Sequence, residues 1–237
     1  MNRPYKKVIT IHQPDFLPWL GFFHRWAISD LFIMLDDVQF ARRGWHHRDK
    51  IKTAHGVKWL TVPVKAKGRY SQQIREVEID NDQDWQCKHL NIIYSNYREA
   101  PVFDMLYDQI EAIYYKKHNY LIDFNIHFLR FVASKLGITT PIDSASNYNV
   151  KSTSTQRLVD LVRSVGGTDY LTGLGSKDYL DESLFSRDNI NVKWQKYQHP
   201  MYKQLHGDFI PMLSSLDFLM AQEPGSGNLF GGYCAIS

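Results

Sequence analysis

The chain has 237 residues, 43% hydrophobic and 22% charged, with a formal net charge of +3. A chain of this length buries a full core without disulfide or metal staples, and so mild a charge demands no polyanionic partner. Two cysteines, Cys87 and Cys234, imply no disulfide framework, the start of the chain lacks a signal-like apolar region, and no apolar run reaches about 18 residues. A cytoplasmic protein with no membrane span is expected. Aromatics, at 14%, suit a packed core above all, and equally a surface on which sugars or bases stack.

In chain order, Val8–His12 is a β-branched apolar run that ends in the polar, ring-constrained Gln13-Pro14-Asp15. Trp19, Leu20, Phe22, Phe23 and Trp26 then recur at helical spacing, and Leu31–Leu35 is a second strand ending in Asp36-Asp37. Gln39–Lys50 is polar and basic and predicts a loop or short helix. Lys58–Val64 and Ile74–Ile79 alternate like an antiparallel pair around a glycine-bearing turn. Three helices follow, carrying Trp85, His89 and Ile93; Phe103, Leu106 and Ile110; and Leu121, Phe124 and Phe128, with Gly137 as the last stop. Strands at 139–143, 170–173 and 190–197 then alternate with helices at 153–165 and 178–185, which implies parallel pairing. The expected fold is α/β: one domain over 1–237 with a Rossmann-like, mostly parallel sheet. An antiparallel strand pair is inserted within about 41–80, and a helical layer occupies about 82–137.

Chemistry concentrates at strand ends, where open parallel sheets bind ligands. His12 is the first candidate catalytic residue, aimed with Gln13 by the rigid Pro14 at a phosphate or carbonyl oxygen. Asp36 and Asp37 are candidates for Mg²⁺, a ribose hydroxyl or an amine. Gln39, Arg43, His47 and Arg48 line the next loop, where arginine forks suit phosphates. His46-His47 with His55 makes no zinc motif, since adjacent histidines diverge and no cysteine joins them, so no metal site is assigned there. Gly173 and Lys177 lie in a turn that brings backbone N–H groups to a phosphate. His199 and Tyr202, in a His-Pro loop that repeats the design of the first, are candidates for acid–base work and substrate positioning.

The blocks Ile11-His12-Gln13-Pro14, Leu17-Pro18-Trp19, Leu35–Phe40, His199-Pro200, Tyr202, Gln204 and Ser214–Asp217 resemble the WbqC-like protein family across nearly the whole chain. The resemblance implies a transferase of surface-polysaccharide (O-antigen) biosynthesis that passes glycine to an amino sugar, and it supplies no catalytic residues. Asp15, a variable position in that family, is expected to bear no unique catalytic role. More distantly, the strand, His-bearing turn, helix and acidic second strand resemble HUP-type nucleotide-binding folds. There, Asp15 replaces the second histidine of the HxGH motif, and fold likeness alone does not establish adenylation.

The expected activity is ligation or transfer of a small amino acid onto a nucleotide-linked amino sugar. ATP with Mg²⁺ supplies the activation, or the donor arrives activated as an aminoacyl-tRNA or thioester; no stable nucleic-acid complex is expected. In this scheme His12 and Arg43 stabilise phosphate charge, Asp36 or Asp37 holds Mg²⁺ or the amine, and His199 orients or deprotonates the nucleophile. A nucleotidyltransferase acting on a sugar precursor and a non-catalytic nucleotide-sugar-binding protein are the alternatives.

Overall fold

The computed structural model describes residues 6–223, so Cys234 lies outside the described residues. Five parallel strands form the main sheet: β1 (Val8–His12), β2 (Leu31–Met34), β5 (Ile142–Ser144), β6 (Asp169–Thr172) and β7 (Asn191–Trp194), in the order β5-β2-β1-β6-β7. The alternation of each strand sorts its side chains between two cores. Ile9, Ile11 and Ile33 enter one with Val159, Val162 and Phe185 of helices α5 (Ser154–Ser164) and α6 (Glu182–Arg187). Phe32 and Met34 enter the other with α1 (Leu20–Ala27) and a large insertion between β2 and β5. Helices on both faces make this the Rossmann-like arrangement that the alternating elements predict.

Strand order fixes where a ligand fits. From β1 the chain builds outward through β2 to β5, and then returns to build β6 and β7 on the other side. The reversal falls between β1 and β6, whose carboxyl ends therefore diverge into a crevice. His12 ends β1, and Gly173 follows β6 directly.

The insertion holds the antiparallel pair β3 (Arg48–Thr53) and β4 (Gly56–Thr61), then α2 (Trp85–Tyr97), α3 (Phe103–Tyr115) and α4 (Leu121–Lys135). Gly137 ends α4 with a left-handed φ of 70°, as its position predicts. The strand pair is a correction. Its first strand starts inside the basic segment expected to be a loop or short helix, taking up Arg48–Lys50 of it, because Asp49, Ile51 and Thr53 turn inward while Arg48 and Lys50 hide the alternation behind charge. Ile74–Glu76 is a 3-10 turn with a reciprocal Gln73–Glu76 cap, and Ile79 keeps only an isolated bridge to Val64. Helix α6 also starts later than expected, at Glu182, because the Asp181 side chain accepts the Ser183 N–H and sets the cap there.

Helix α7 (Ser215–Met220) is buried and closes over the loop between β1 and α1: the Ser215 N–H donates to the Pro18 carbonyl and the Ser214 N–H to that of Lys50. No helix among the described residues is long and apolar enough to cross a membrane.

Phe16 joins the β1–α1 loop to the helical layer, stacked on Phe124 at 5.7 Å and edge-on to Phe128 at 6.0 Å, with no exposed surface. Phe16→Ala is expected to cost about 3–5 kcal/mol, read as a lowered urea midpoint with unchanged slope.

Candidate active site

The loop after β1 is held by one buried amide. Asn125 of α4, fully enclosed, donates through Nδ2 to the carbonyls of Pro14 (2.9 Å) and His46 (2.7 Å). The Phe16 N–H adds a bond to the Trp45 carbonyl at 3.1 Å. These contacts hold Leu17, a buried non-glycine residue, at a left-handed φ of 43°. Such strain persists only where the surroundings enforce it, and it collects at functional loops.

Residues from three elements meet in this loop. The His12 ring lies edge-on to Phe22 at 5.0 Å, and its Nδ1 donates to the Gln13 carbonyl at 2.9 Å. Nδ1 therefore carries the proton and Nε2 keeps its lone pair. His46 Nε2 donates to Gln13 Oε1 at 2.8 Å. Between the two rings sits Asp15, its carboxylate 3.7 Å from His12 Nδ1 and 3.9 Å from His46 Nε2.

Arg25 of α1 closes the cluster. It is 6% exposed, and its Nη1 donates to Gln195 Oε1 at 2.8 Å. Gln195 in turn donates to the Gly21 carbonyl and to His24 Nδ1. A Cβ on Gly173 would stand 2.7 Å from Arg25 Nη1, so the glycine at the end of β6 makes room for this guanidinium. Among the described residues no carboxylate comes within ion-pair range of Arg25. Arg25 is thus a buried cation resting on a neutral amide beside the sheet's reversal point, with guanidinium donors of the kind that suit an anion.

Burial sets the ionisation of the group. It pushes the Asp15 pKa up from 3.8 to about 7, against the attraction of Arg25. It pushes His12 down to about 3, helped by Arg25 and by His46, although a third of that side chain still meets solvent. His46 falls to about 4 by burial and the proximity of His47. Burial also lowers Arg25, offset by Tyr170, Asp15 and Tyr179. Two neutral imidazoles thus flank a carboxyl poised near neutrality.

Of the residues singled out from sequence, His12, Gln13 and Gly173 meet here. Asp36 does not join them, because it caps the next turn by accepting from the Ser146 N–H (2.9 Å) and hydroxyl (2.6 Å). Asp37 is paired with Arg157, with its other oxygen buried. Gln39 donates to the Tyr70 carbonyl, and both His47 ring nitrogens meet carbonyls, of Val62 and Arg42. Arg43 is exposed, while Arg48 donates to its carbonyl and lies against Trp59. Lys177 is exposed past the β6 turn.

His199 and Tyr202 form a second cluster. His199 stacks on the half-buried Trp19 at the head of α1, at 6.3 Å, and the Tyr202 hydroxyl donates to Asp217 at 2.9 Å. Asp15, Arg25 and His46 are the site residues that sequence reading did not assign. Only the abrupt polar turn after β1 signalled Asp15, and nothing local distinguishes Arg25 within an apolar helix. Clefts of about 200 and 570 Å³ open on the helical layer, one around Lys116–His118 and one between Ile113 and Arg130, and none of the strand-end groups lines them.

A sequence profile of the WbqC-like protein family matches residues 13–228. The chain belongs to the WbqC-like protein family. It is also 38% identical over 215 residues to "Uncharacterized protein Rv1507c" of Mycobacterium tuberculosis, covering 90% of this chain and 93% of the relative. No solved structure matches it. The matched residues include those of both clusters except His12, which lies one residue before the match begins.

A carboxyl whose pKa rises on folding stabilises the fold fully below its unfolded value of 3.8, and that stability is lost as pH climbs through about 7. The loss amounts to roughly 4 kcal/mol across that window. Asp15→Asn keeps the shape without the charge. Its melting temperature is therefore expected to exceed that of the unsubstituted protein at pH 9, with the gap closing toward pH 5. Parallel profiles in a thermal melt series would remove Asp15 as a group titrating near neutrality.

Proposed function

We propose that this WbqC-like protein transfers a small aminoacyl group, glycine being the one the family resemblance implies, from an activated donor to the amine of a nucleotide-linked amino sugar in surface-polysaccharide assembly. The observation that carries this is Asp15, a carboxyl with a pKa near 7 set between neutral His12 and His46 and within electrostatic reach of the buried Arg25. A base of that strength accepts a proton from an attacking amine and returns it to a leaving oxygen or sulfur at neutral pH.

The step balances simply. The amine nitrogen bonds to the acyl carbon, the ester or thioester bond breaks, and the proton passes from nitrogen through the Asp15 carboxylate to the leaving atom. Arg25 holds an anionic group of either substrate, and His12, with its Nε2 lone pair, accepts a hydrogen bond from the amine and orients it. The role expected of His199 moves to Asp15, against the expectation that Asp15 bears no unique catalytic role, while His199 stacks on Trp19.

The residues present do not fit a Mg²⁺ between Asp36 and Asp37. Both oxygens of the first are taken by Ser146, and the second is paired with Arg157. No group of three His, Cys, Asp or Glu side chains among the described residues gathers for a metal ion. No step is therefore routed through Mg²⁺-ATP, and the donor is taken to arrive activated.

The test combines glycyl-tRNA or a glycyl thioester with a panel of nucleoside-diphosphate amino sugars and follows the acylated sugar by mass spectrometry. At low substrate, product formation is expected to rise with pH to a plateau through about pH 7, as Asp15 of the empty site ionises. Asp15→Asn should slow turnover about 10²–10⁴-fold, and Arg25→Lys should mainly raise KM. Unchanged turnover in Asp15→Asn, or sugar binding without consumption of either donor, would overturn the assignment.

A further inference from the structure

The charge of this chain is unevenly spread. Residues 41–69 carry nine of its 28 Lys and Arg and one of its 25 Asp and Glu, a net +8 against +3 for the whole. The lone acid, Asp49, is buried on the inner face of β3. Lys65 and Arg69 are paired with Glu78. Arg42, Arg43, Arg48 and Lys50 have no carboxylate in ion-pair range among the described residues.

These cations lie among exposed aromatics. Trp45 and Trp59 remain 47% and 41% exposed, with ring centroids 5.4 Å apart and planes inclined by 35°. Lys50, the cross-strand partner of Trp59, has its ammonium 5.4 Å from the Trp45 ring and 5.7 Å from that of Trp59. The Arg48 guanidinium lies 4.6 Å from Trp59, and the Arg42 guanidinium 4.4 Å from Tyr70, the most exposed of these rings. Cation–π contacts alone would stabilise the hairpin and need no partner. Two large indoles left open, in a strip free of exposed carboxylate, are instead what single-stranded nucleic acid requires: faces for bases and a cationic rim for phosphates.

We propose that the outer face of the β3–β4 hairpin binds the single-stranded acceptor end of a tRNA, with bases stacked on Trp45 and Trp59 and phosphates on Arg43, Arg48 and Lys50. The surplus of cations favours an RNA over a nucleoside diphosphate, which two or three charges would satisfy. The platform is also joined to the site: the Trp45 carbonyl accepts the Phe16 N–H, and the next residue, His46, flanks Asp15. An aminoacyl ester at the end of such a strand lies next to the proposed base. The inference takes its purpose from the acyl-transfer reading, naming the donor, but its test does not depend on turnover.

Fluorescence anisotropy of the full-length protein with labelled, uncharged tRNA, repeated across a salt series, measures this directly. Binding is expected to weaken steeply with salt, to quench indole emission, and to fall at least about fivefold in Trp45→Ala/Trp59→Ala and in Arg48→Ala/Lys50→Ala. A tRNA lacking its single-stranded 3′ end should bind more weakly to the unsubstituted protein and be indifferent to the tryptophan substitutions. Absence of low-salt binding and quenching by the unsubstituted protein, or binding untouched by both double variants, would overturn the proposal. So would loss of nucleotide-sugar binding in the tryptophan variant while tRNA binding is retained. RNA binding without glycine transfer would instead sink the transferase reading alone, whereas transfer from a thioester without RNA binding would sink only this one.

Discussion

The burial of one arginine organises the centre of this molecule. Arg25 projects from an otherwise apolar helix into the gap where the sheet reverses its winding, and its neighbourhood is built to receive it. Gly173 gives up a side chain for it. Gln195 turns its oxygen toward the guanidinium and spends its amide hydrogens on the Gly21 carbonyl and His24, tying β7 to α1. A buried cation without a carboxylate against it costs stability that a purely structural residue has no reason to incur. On the proposed reading, an anionic substrate is the partner that offsets this cost.

A second polar node holds the C-terminal segment. Asp217 accepts from the hydroxyls of Tyr97 and Tyr202 and from the Gln204 amide, at 2.8–2.9 Å. The buried Lys52 ammonium reaches Gln204 and the carbonyls of Gly207 and Asp208. Helix α2, the 202–208 loop and α7 are thereby fastened to the turn end of the β3–β4 hairpin. Because Tyr202 also stacks on His199, and His199 on Trp19, this node fixes the wall beside α1. Tyr202 reads as chemistry in the sequence because a tyrosine hydroxyl serves catalysis and buried networks equally well.

The same ambiguity explains what the sequence disclosed and what it withheld. Hydrophobic periodicity located the parallel strands and the three inserted helices, since each buries a continuous stripe. It missed β3, where the outward half of the alternation is the half-buried Arg48 and Lys50 and the buried half includes Asp49. His12 and Gln13 were visible because a strand that stops in His-Gln-Pro has few structural uses. Asp36 was misplaced because a carboxylate that caps a turn and one that awaits a ligand look alike until the Ser146 hydroxyl is seen. Arg25 was invisible: its role depends on Gly173, nearly 150 residues away, and only sheet order brings the two together.

Asp15 and Arg25 are also coupled in a way that bears on how such a site operates. Arg25 holds the Asp15 pKa below where burial alone would set it. An anion that settles against the guanidinium cancels part of that attraction, so the affinity of Asp15 for a proton rises when the receptor fills. His12 and His46 are both neutral and add no charge, while the buried Asp49 carboxyl is pushed up by its burial and by the nearby Asp15. On the proposed reading, an anionic substrate seated at Arg25 would make the carboxylate a stronger base than it is in the empty site, with proton uptake on binding. Basicity is thereby linked to occupancy without any movement of the backbone, which the Asn125 clamp and the strained Leu17 hold in place.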